Sequence, residues 1–272
     1  MTKCMRVAVV QMNSGQDKQV NFARASRLLA RARQQDARWA VLPENFSFMA
    51  GDDESRALLA ENFDHSETME WLRDQARSLG MGLIAGGVLL RLKGWQKPRN
   101  ISCVINAKGQ CVARYAKMHL FDADVDGGCY RESDAIEAGD EPCIVDLDGM
   151  LAGLSICYDL RFPELYRYYA SRHCHVFVVT AAFTEETGAA HWHVLVRARA
   201  IENQCYVLAS AQQGEHPGGR RTHGHSMIVD PWGVVLAECA CAGEDIAVAD
   251  IDMACLDRVR QRLPVLRHRR LC

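Results

Sequence analysis

No apolar run in this chain approaches the roughly 18–20 residues that a membrane span requires. Charge of one sign is missing as well. The chain has 32 Lys and Arg against 34 Asp and Glu, a formal net charge of −2, so no global field steers it toward nucleic acid or an anionic membrane surface. No Cys-x-x-Cys spacing occurs, which removes the common zinc and dithiol-redox signatures. No Pro/Gly/Ser-rich stretch divides the chain, and no internal repeat is evident. The start, Met1-Thr2-Lys3-Cys4-Met5-Arg6, leads straight into Val7-Ala8-Val9-Val10, too short and too quickly polar for a signal peptide.

What remains is the composition of a globular protein of 272 residues, 49% hydrophobic and 24% charged, long enough to bury a large core. Its 12 cysteines are scattered, and Cys103, Cys205 and Cys239 lie inside apolar runs. Buried reduced thiols in a cytoplasmic protein are therefore expected, rather than disulfides.

Strand-like and helical patterns alternate along the chain. Strands are predicted over Val7–Met12, Trp39–Leu42, Gly82–Leu90, Cys143–Leu147, Leu151–Cys157, His175–Thr180, Tyr206–Ala211, His225–Val229, Val234–Cys239 and Ile246–Ile251, with a hairpin across Ile101–Tyr115. Helical spacing of apolar residues predicts helices over Asn21–Gln34, Glu67–Leu79, Pro163–Ser171 and Ala189–Asn203. The expectation is one α/β domain over residues 1–272, with mixed sheets and helices on the outer faces. Gly214–Arg221 reads as a flexible loop. The basic Pro264–Arg270 stretch reads as a solvated tail or an intersubunit contact, not a nucleic-acid arm.

Three places carry chemistry. In Gly153–Glu164 an apolar run delivers Cys157, a polar turn follows, and Pro163 stands where a helix would start. A thiol at a sheet edge near the positive end of a helix is placed to act as a nucleophile. Such a thiol needs a base for its proton and a charge for the oxyanion it creates. Glu44 closes the strand Val41-Leu42-Pro43-Glu44, and Lys117 follows the strand that ends at Tyr115-Ala116. All three sit where a strand meets a loop, so they can converge on one rim. Three His-x-His pairs, His173/His175, His191/His193 and His223/His225, raise a metal reading. With no acidic third ligand evidently linked to any pair, the expectation is core or surface histidines and no metal.

Glu, Lys and Cys in this order and with these flanks resemble the nitrilase superfamily of carbon–nitrogen hydrolases. The matching stretches are Leu42-Pro43-Glu44, Tyr115-Ala116-Lys117-Met118-His119-Leu120 and Cys157-Tyr158-Asp159-Leu160-Arg161-Phe162-Pro163-Glu164. The resemblance covers nearly the whole chain. It implies a four-layer αββα sandwich, pairing into homodimers or larger homo-oligomers, and chemistry that needs no cofactor. It also implies roles. Glu44 is the general base, Cys157 forms a thioester, and Lys117 with the backbone N–H of Tyr158 holds the oxyanion. A second glutamate is implied between the Lys and Cys motifs; Glu132 matches its position, with Glu137 and Glu141 as neighbours.

Ala190–Glu202, Gly224–Gly233 and Gln261–Val265 further resemble the Nit subgroup, which holds ω-amidases and deaminated-glutathione amidases. This implies an amidase that cleaves the terminal amide of a small carboxylate-bearing 2-oxo acid, with deaminated glutathione favoured and ammonia released. An ω-amidase acting on α-ketoglutaramate, an N-carbamoyl amino acid hydrolase and a non-catalytic binding protein on the same fold are the alternatives. An acidic substrate calls for a cation in the pocket, and Arg161, Arg197 and Arg199 are the candidates. Arg161 can instead brace the nucleophile turn.

Overall fold

The computed structural model describes residues 4–125 and 127–271. Two twisted sheets lie face to face. The first runs, edge to edge, Asp245–Asp252, Cys4–Gln11, Trp39–Leu42, Gly82–Arg91, Arg99–Ile105 and Cys111–Ala116, with Glu61–Asn62 pairing the far end of Gly82–Arg91. The second runs Val235–Glu238, Met227–Val229, Tyr206–Ala211, Val176–Ala181, Met150–Ile156 and Ile144–Leu147. Each sheet has three parallel strands at its centre and antiparallel strands outside them. The central strands Trp39–Leu42, Val176–Ala181 and Tyr206–Ala211 are buried at every position, which is why their sequences are continuous apolar runs rather than alternating ones.

Strand parity sorts side chains between two cores. Val7, Val9, Val41 and Ile84 join Leu154, Val178 and Leu208 between the sheets. Ala8, Val10, Ala40 and Leu42 point the other way, onto the helices Lys18–Gln34 and Glu67–Leu79. These helices begin at side-chain caps. Asp17 accepts from Val20 N at 3.1 Å and Ser66 from Met69 N at 3.0 Å. Pro163–Ser171 and Glu185–Asn203 supply buried residues such as Tyr166, Tyr169, Trp192 and Val196 to the second sheet. The layers are therefore helix, sheet, sheet, helix, as the family resemblance implies.

Several sequence expectations need correction. The helix expected at Ala189–Asn203 starts four residues earlier, at Glu185. The loop expected at Gly214–Arg221 is the connection of a short hairpin whose strands, Gln213–Glu215 and Arg221–His223, take in its two ends. The stretch read as a tail contains a short helix, Val265–His268. The strand expected from His225 begins at Met227, because Gly224 and His225 both have positive φ, 76° and 57°. The short helices Asp53–Leu58 and Glu132–Ala135, and the longer Met253–Arg262, were not anticipated. The first two span under two turns, too few residues for a helical period to register. All cysteines among the described residues are free, and Cys103, Cys205 and Cys239 are buried. No helix among the described residues is long and apolar enough to cross a membrane.

Candidate active site

The carboxyl ends of parallel strands in both sheets, and that of the edge strand Cys111–Ala116, open onto one rim. Glu44 lies two residues beyond Leu42, Lys117 follows Ala116, Cys157 follows Ile156, and Ala182 follows Ala181. The structure thus gathers the three sequence-predicted residues from both sheets, at the end of an α/β sheet where ligands bind.

Glu44 is buried and held on every side. Its Oε2 accepts the backbone N–H of Ala182 at 3.0 Å. Its Oε1 accepts from Asn100 Nδ2 at 2.8 Å and Lys117 Nζ at 3.3 Å. Gln212 donates to the Glu44 carbonyl at 2.9 Å and exchanges hydrogen bonds with Ser14, tying the glutamate's loop to the second sheet. The loop turns through Asn45 at φ 59°, whose N–H donates to Gly87 O. Gly87 itself has φ 72°, and a Cβ there would collide with Glu44 Cγ. Glycine is thus required twice over, for backbone and for space. Gly87→Ala is expected to destabilise the fold by about 1–3 kcal/mol and to lower kcat more than about tenfold by displacing the carboxylate. Thermal melts and steady-state kinetics measure both; an unchanged kcat would mean that the position of Glu44 does not matter.

Glu132 sits across from Glu44, with Lys117 between them. Lys117 Nζ lies 2.8 Å from Glu132 Oε2, and all three groups are at most 3% exposed. Glu132 Oε2 also accepts the N–H of Phe121 at 2.8 Å, and Oε1 accepts from Arg56 Nη2 at 2.9 Å. Burial alone would raise the Glu132 pKa, but Lys117 and Arg56 outweigh it and hold the carboxyl at about 2. Burial opposes the charge on Lys117 too, yet Glu132 and Glu44 raise its pKa and keep it an ammonium. The other carboxylates considered for this position face elsewhere: Glu137 pairs with Arg99 at 2.7 Å, and Glu141 is exposed.

Cys157 is buried, and its backbone is left-handed at φ 50°. A side chain rarely adopts that conformation without a surrounding structure that enforces it. The enforcement comes from Asp159, whose Oδ2 accepts Ile156 N at 2.9 Å and the Tyr115 hydroxyl at 2.7 Å. Its Oδ1 accepts His119 N at 3.0 Å and pairs with His119 Nδ1 at 2.7 Å. Asp159 therefore locks the nucleophile turn of one sheet to the segment of the other that carries Lys117. Burial, then the Glu44 charge, push the Cys157 thiol up to about 12, with Lys117 pulling the other way.

These residues line one pocket together with Phe121, Tyr158, Phe183, Thr184, Thr187 and three arginines, Arg56, Arg161 and Arg220. Tyr158 and Arg161 thus reach the site as the sequence suggested. Arg197 and Arg199 do not. Arg197 bonds Gly233 O, and buried Arg199 donates twice to Leu160 O, bracing the nucleophile turn from behind. Sequence reasoning missed Arg56, Arg220 and Asn100. Arg220 packs over the Tyr130 ring, and its Nε is buried without a hydrogen-bond partner. Among the described residues no carboxylate lies within ion-pair distance of Arg161 or Arg220.

The histidines do not group as the His-x-His pairs suggested. His193 of one pair meets His225 of another, and Glu238 supplies the acidic neighbour that the sequence did not connect to either.

The two-sheet fold and the buried Glu–Lys–Cys cluster at its rim define a class. The carbon–nitrogen hydrolase profile matches residues 6–261, and the chain belongs to that family. Within it, the chain is 44% identical over 268 residues, 96% of this chain and 97% of the relative, to the deaminated glutathione amidase of Synechocystis sp. (strain PCC 6803 / GT-S). It superimposes on the C. elegans NitFhit protein with a TM-score of 0.90 at 40% identity, covering 99% of this chain and 66% of that longer one. It is also similar to a mutant of the amidase from Nesterenkonia sp. AN1 that shows Michael addition of acrylamide at the active-site cysteine (TM-score 0.78, 26% identity, 96% of this chain and 98% of that one). The protein is a carbon–nitrogen hydrolase acting on amides.

Proposed function

We propose that the protein hydrolyses the amide of deaminated glutathione through a Cys157 thioester. The observation that carries this reading is the Glu44 carboxylate, which lines the same pocket as the Cys157 thiol and accepts a hydrogen bond from the Lys117 ammonium. A thiol with its pKa near 12 stays protonated at neutral pH, so its proton must pass to Glu44 as sulfur attacks the carbonyl carbon. The carbonyl electrons move onto oxygen, where Lys117 and the Tyr158 N–H stabilise the charge. Glu44 then returns the proton to the departing amine, and water, deprotonated by Glu44, cleaves the thioester. Glu132, ionised and fixed by Arg56 and Phe121 N, positions Lys117.

The substrate reading rests on charge and on the Synechocystis relative. Deaminated glutathione carries a carboxylate at each end, and Arg161 and Arg220 are two pocket cations with no carboxylate beside them among the described residues. A partly desolvated carboxylate needs such a partner. In this substrate the scissile amide joins the oxo-acyl group to Cys-Gly, so the leaving amine is that dipeptide; ammonia is the product only with primary amides such as α-ketoglutaramate. Further support for a homo-oligomer, in which two copies meet through helices, is the exposure of Val194 and Ile201 on Glu185–Asn203. The free thiols among the described residues are consistent with a cytoplasmic setting.

A panel of deaminated glutathione, α-ketoglutaramate, a carbamoyl amino acid and a neutral aliphatic amide, assayed for each amine product, tests the reading. Deaminated glutathione is expected to show the highest kcat/KM; a tenfold preference for α-ketoglutaramate would replace it with an ω-amidase. Arg220→Gln is expected to raise KM more than about tenfold for the acidic amides, the cost of one charge-assisted hydrogen bond, and to leave the neutral amide nearly unaffected. Equal losses on both would make Arg220 structural.

A further inference from the structure

We propose that His193, His225 and Glu238 form a second site, remote from the nucleophile, that binds one borderline divalent cation of the Zn2+ kind. His193 Nε2, His225 Nδ1 and a Glu238 carboxylate oxygen lie within 4.8 Å of one another. Both imidazole nitrogens converge on the same oxygen, Oε1, at 2.9 Å and 2.5 Å. The three donors come from the helix Glu185–Asn203, the turn before Met227 and the strand Val235–Glu238, so tertiary packing alone brings them together. Two nitrogens and a carboxylate, with Glu238 exposed and its neighbour His193 partly so, make a three-donor face with a position left for solvent. Nitrogen donors select Zn2+, Cu2+, Ni2+ or Co2+ over Mg2+ and Ca2+.

The surroundings are built around these donors. His225 is held in its left-handed conformation while its carbonyl accepts the Trp192 indole N–H at 2.8 Å. His223 stacks on His225 with ring centroids 4.6 Å apart. Its Nε2 is buried with no hydrogen-bond partner. That ring packs against the helix only because residue 188 is glycine, where a Cβ would collide with the Cβ of His223. A cation seated between the donors takes the place of the two contacts that the imidazole nitrogens now make to Glu238 Oε1. None of these side chains touches Glu44, Lys117 or Cys157, so amide hydrolysis proceeds without the metal.

The test is titration of the metal-stripped full-length protein with Zn2+ by calorimetry, and with Co2+ by visible absorption. The wild type is expected to bind one equivalent whose Co2+ spectrum shows d–d bands and no thiolate charge-transfer band. His193→Ala and Glu238→Gln, each with wild-type melting and wild-type amidase activity in EDTA, are expected to lose more than about tenfold in affinity, a loss that removal of even an outer-shell partner can produce. Affinity equal to wild type in both variants, no binding by the wild type, or a thiolate band in the tightest complex each overturns the assignment.

Discussion

Cys157→Ala and Cys157→Ser are expected to turn over no amide above background, a loss of at least about 10⁴-fold in kcat, the scale seen when the nucleophile of a coupled catalytic unit is removed. Both variants are expected to keep the wild-type far-UV spectrum and to melt close to the wild-type temperature. The fold should survive because the left-handed turn is imposed by Asp159 and its partners, not by the sulfur. Alanine removes the sulfur expected to bond carbon beside Glu44. Serine keeps a proton that Glu44 can accept, but its oxygen is a far weaker acid than even a thiol pushed up to about 12. Product release by the alanine variant at a near-wild-type rate would sink the covalent mechanism. Initial rates with a discontinuous amine assay decide it.

Lys117→Ala is expected to lower kcat by at least about 100-fold, the loss that follows removal of one oxyanion donor. It is also expected to destabilise the protein by about 3–5 kcal/mol, because it leaves an uncompensated charge in the interior. Two carboxylates, each about 3% exposed, then face each other with Arg56 as the remaining cation on Glu132. The pH dependence carries the sign. In the wild type the folded-state Glu132 pKa, about 2, lies below its ordinary 4.5. Its contribution to stability is therefore complete above 4.5 and is lost as pH falls from 4.5 toward 2. In Lys117→Ala the burial that opposes ionisation is no longer outweighed, so the folded-state carboxyl pKa rises. The stability gap between variant and wild type then narrows as pH falls. Denaturant melts at pH 7 and pH 4.5 measure this gap. A change in KM alone would assign Lys117 to substrate binding.

The long elements were legible because their burial is written as period. Trp39–Leu42, Glu67–Leu79, Pro163–Ser171 and Tyr206–Ala211 fall where apolar spacing and caps put them. Glu44, Lys117 and Cys157 were legible for a different reason. Each stands at the point where a strand's apolar run stops, and the structure brings all three to one rim. The residues missed are those whose meaning is purely tertiary. Arg56 sits in a six-residue helix with no periodic signal, yet it neutralises Glu132. Asn100 is one polar residue in an apolar strand, and nothing local says that it reaches Glu44. Arg220 follows Gly218-Gly219 in a stretch whose composition says only loop. The His-x-His spacing does not reveal the cluster because its members are not neighbours in sequence: His193 and Glu238 are 45 residues apart.

Asp159 gives the site one more property. It bonds Ile156 and the nucleophile turn on one sheet, and Tyr115 and His119 around Lys117 on the other. Glu44 is likewise held from the second sheet by Ala182 and Gln212. Neither sheet alone contains a working centre, and neither half of the catalytic set is oriented before the other arrives. During refolding, recovery of amidase activity therefore clocks the docking of the two sheets. It can coincide with signals from strand formation or lag behind them, but it cannot run ahead.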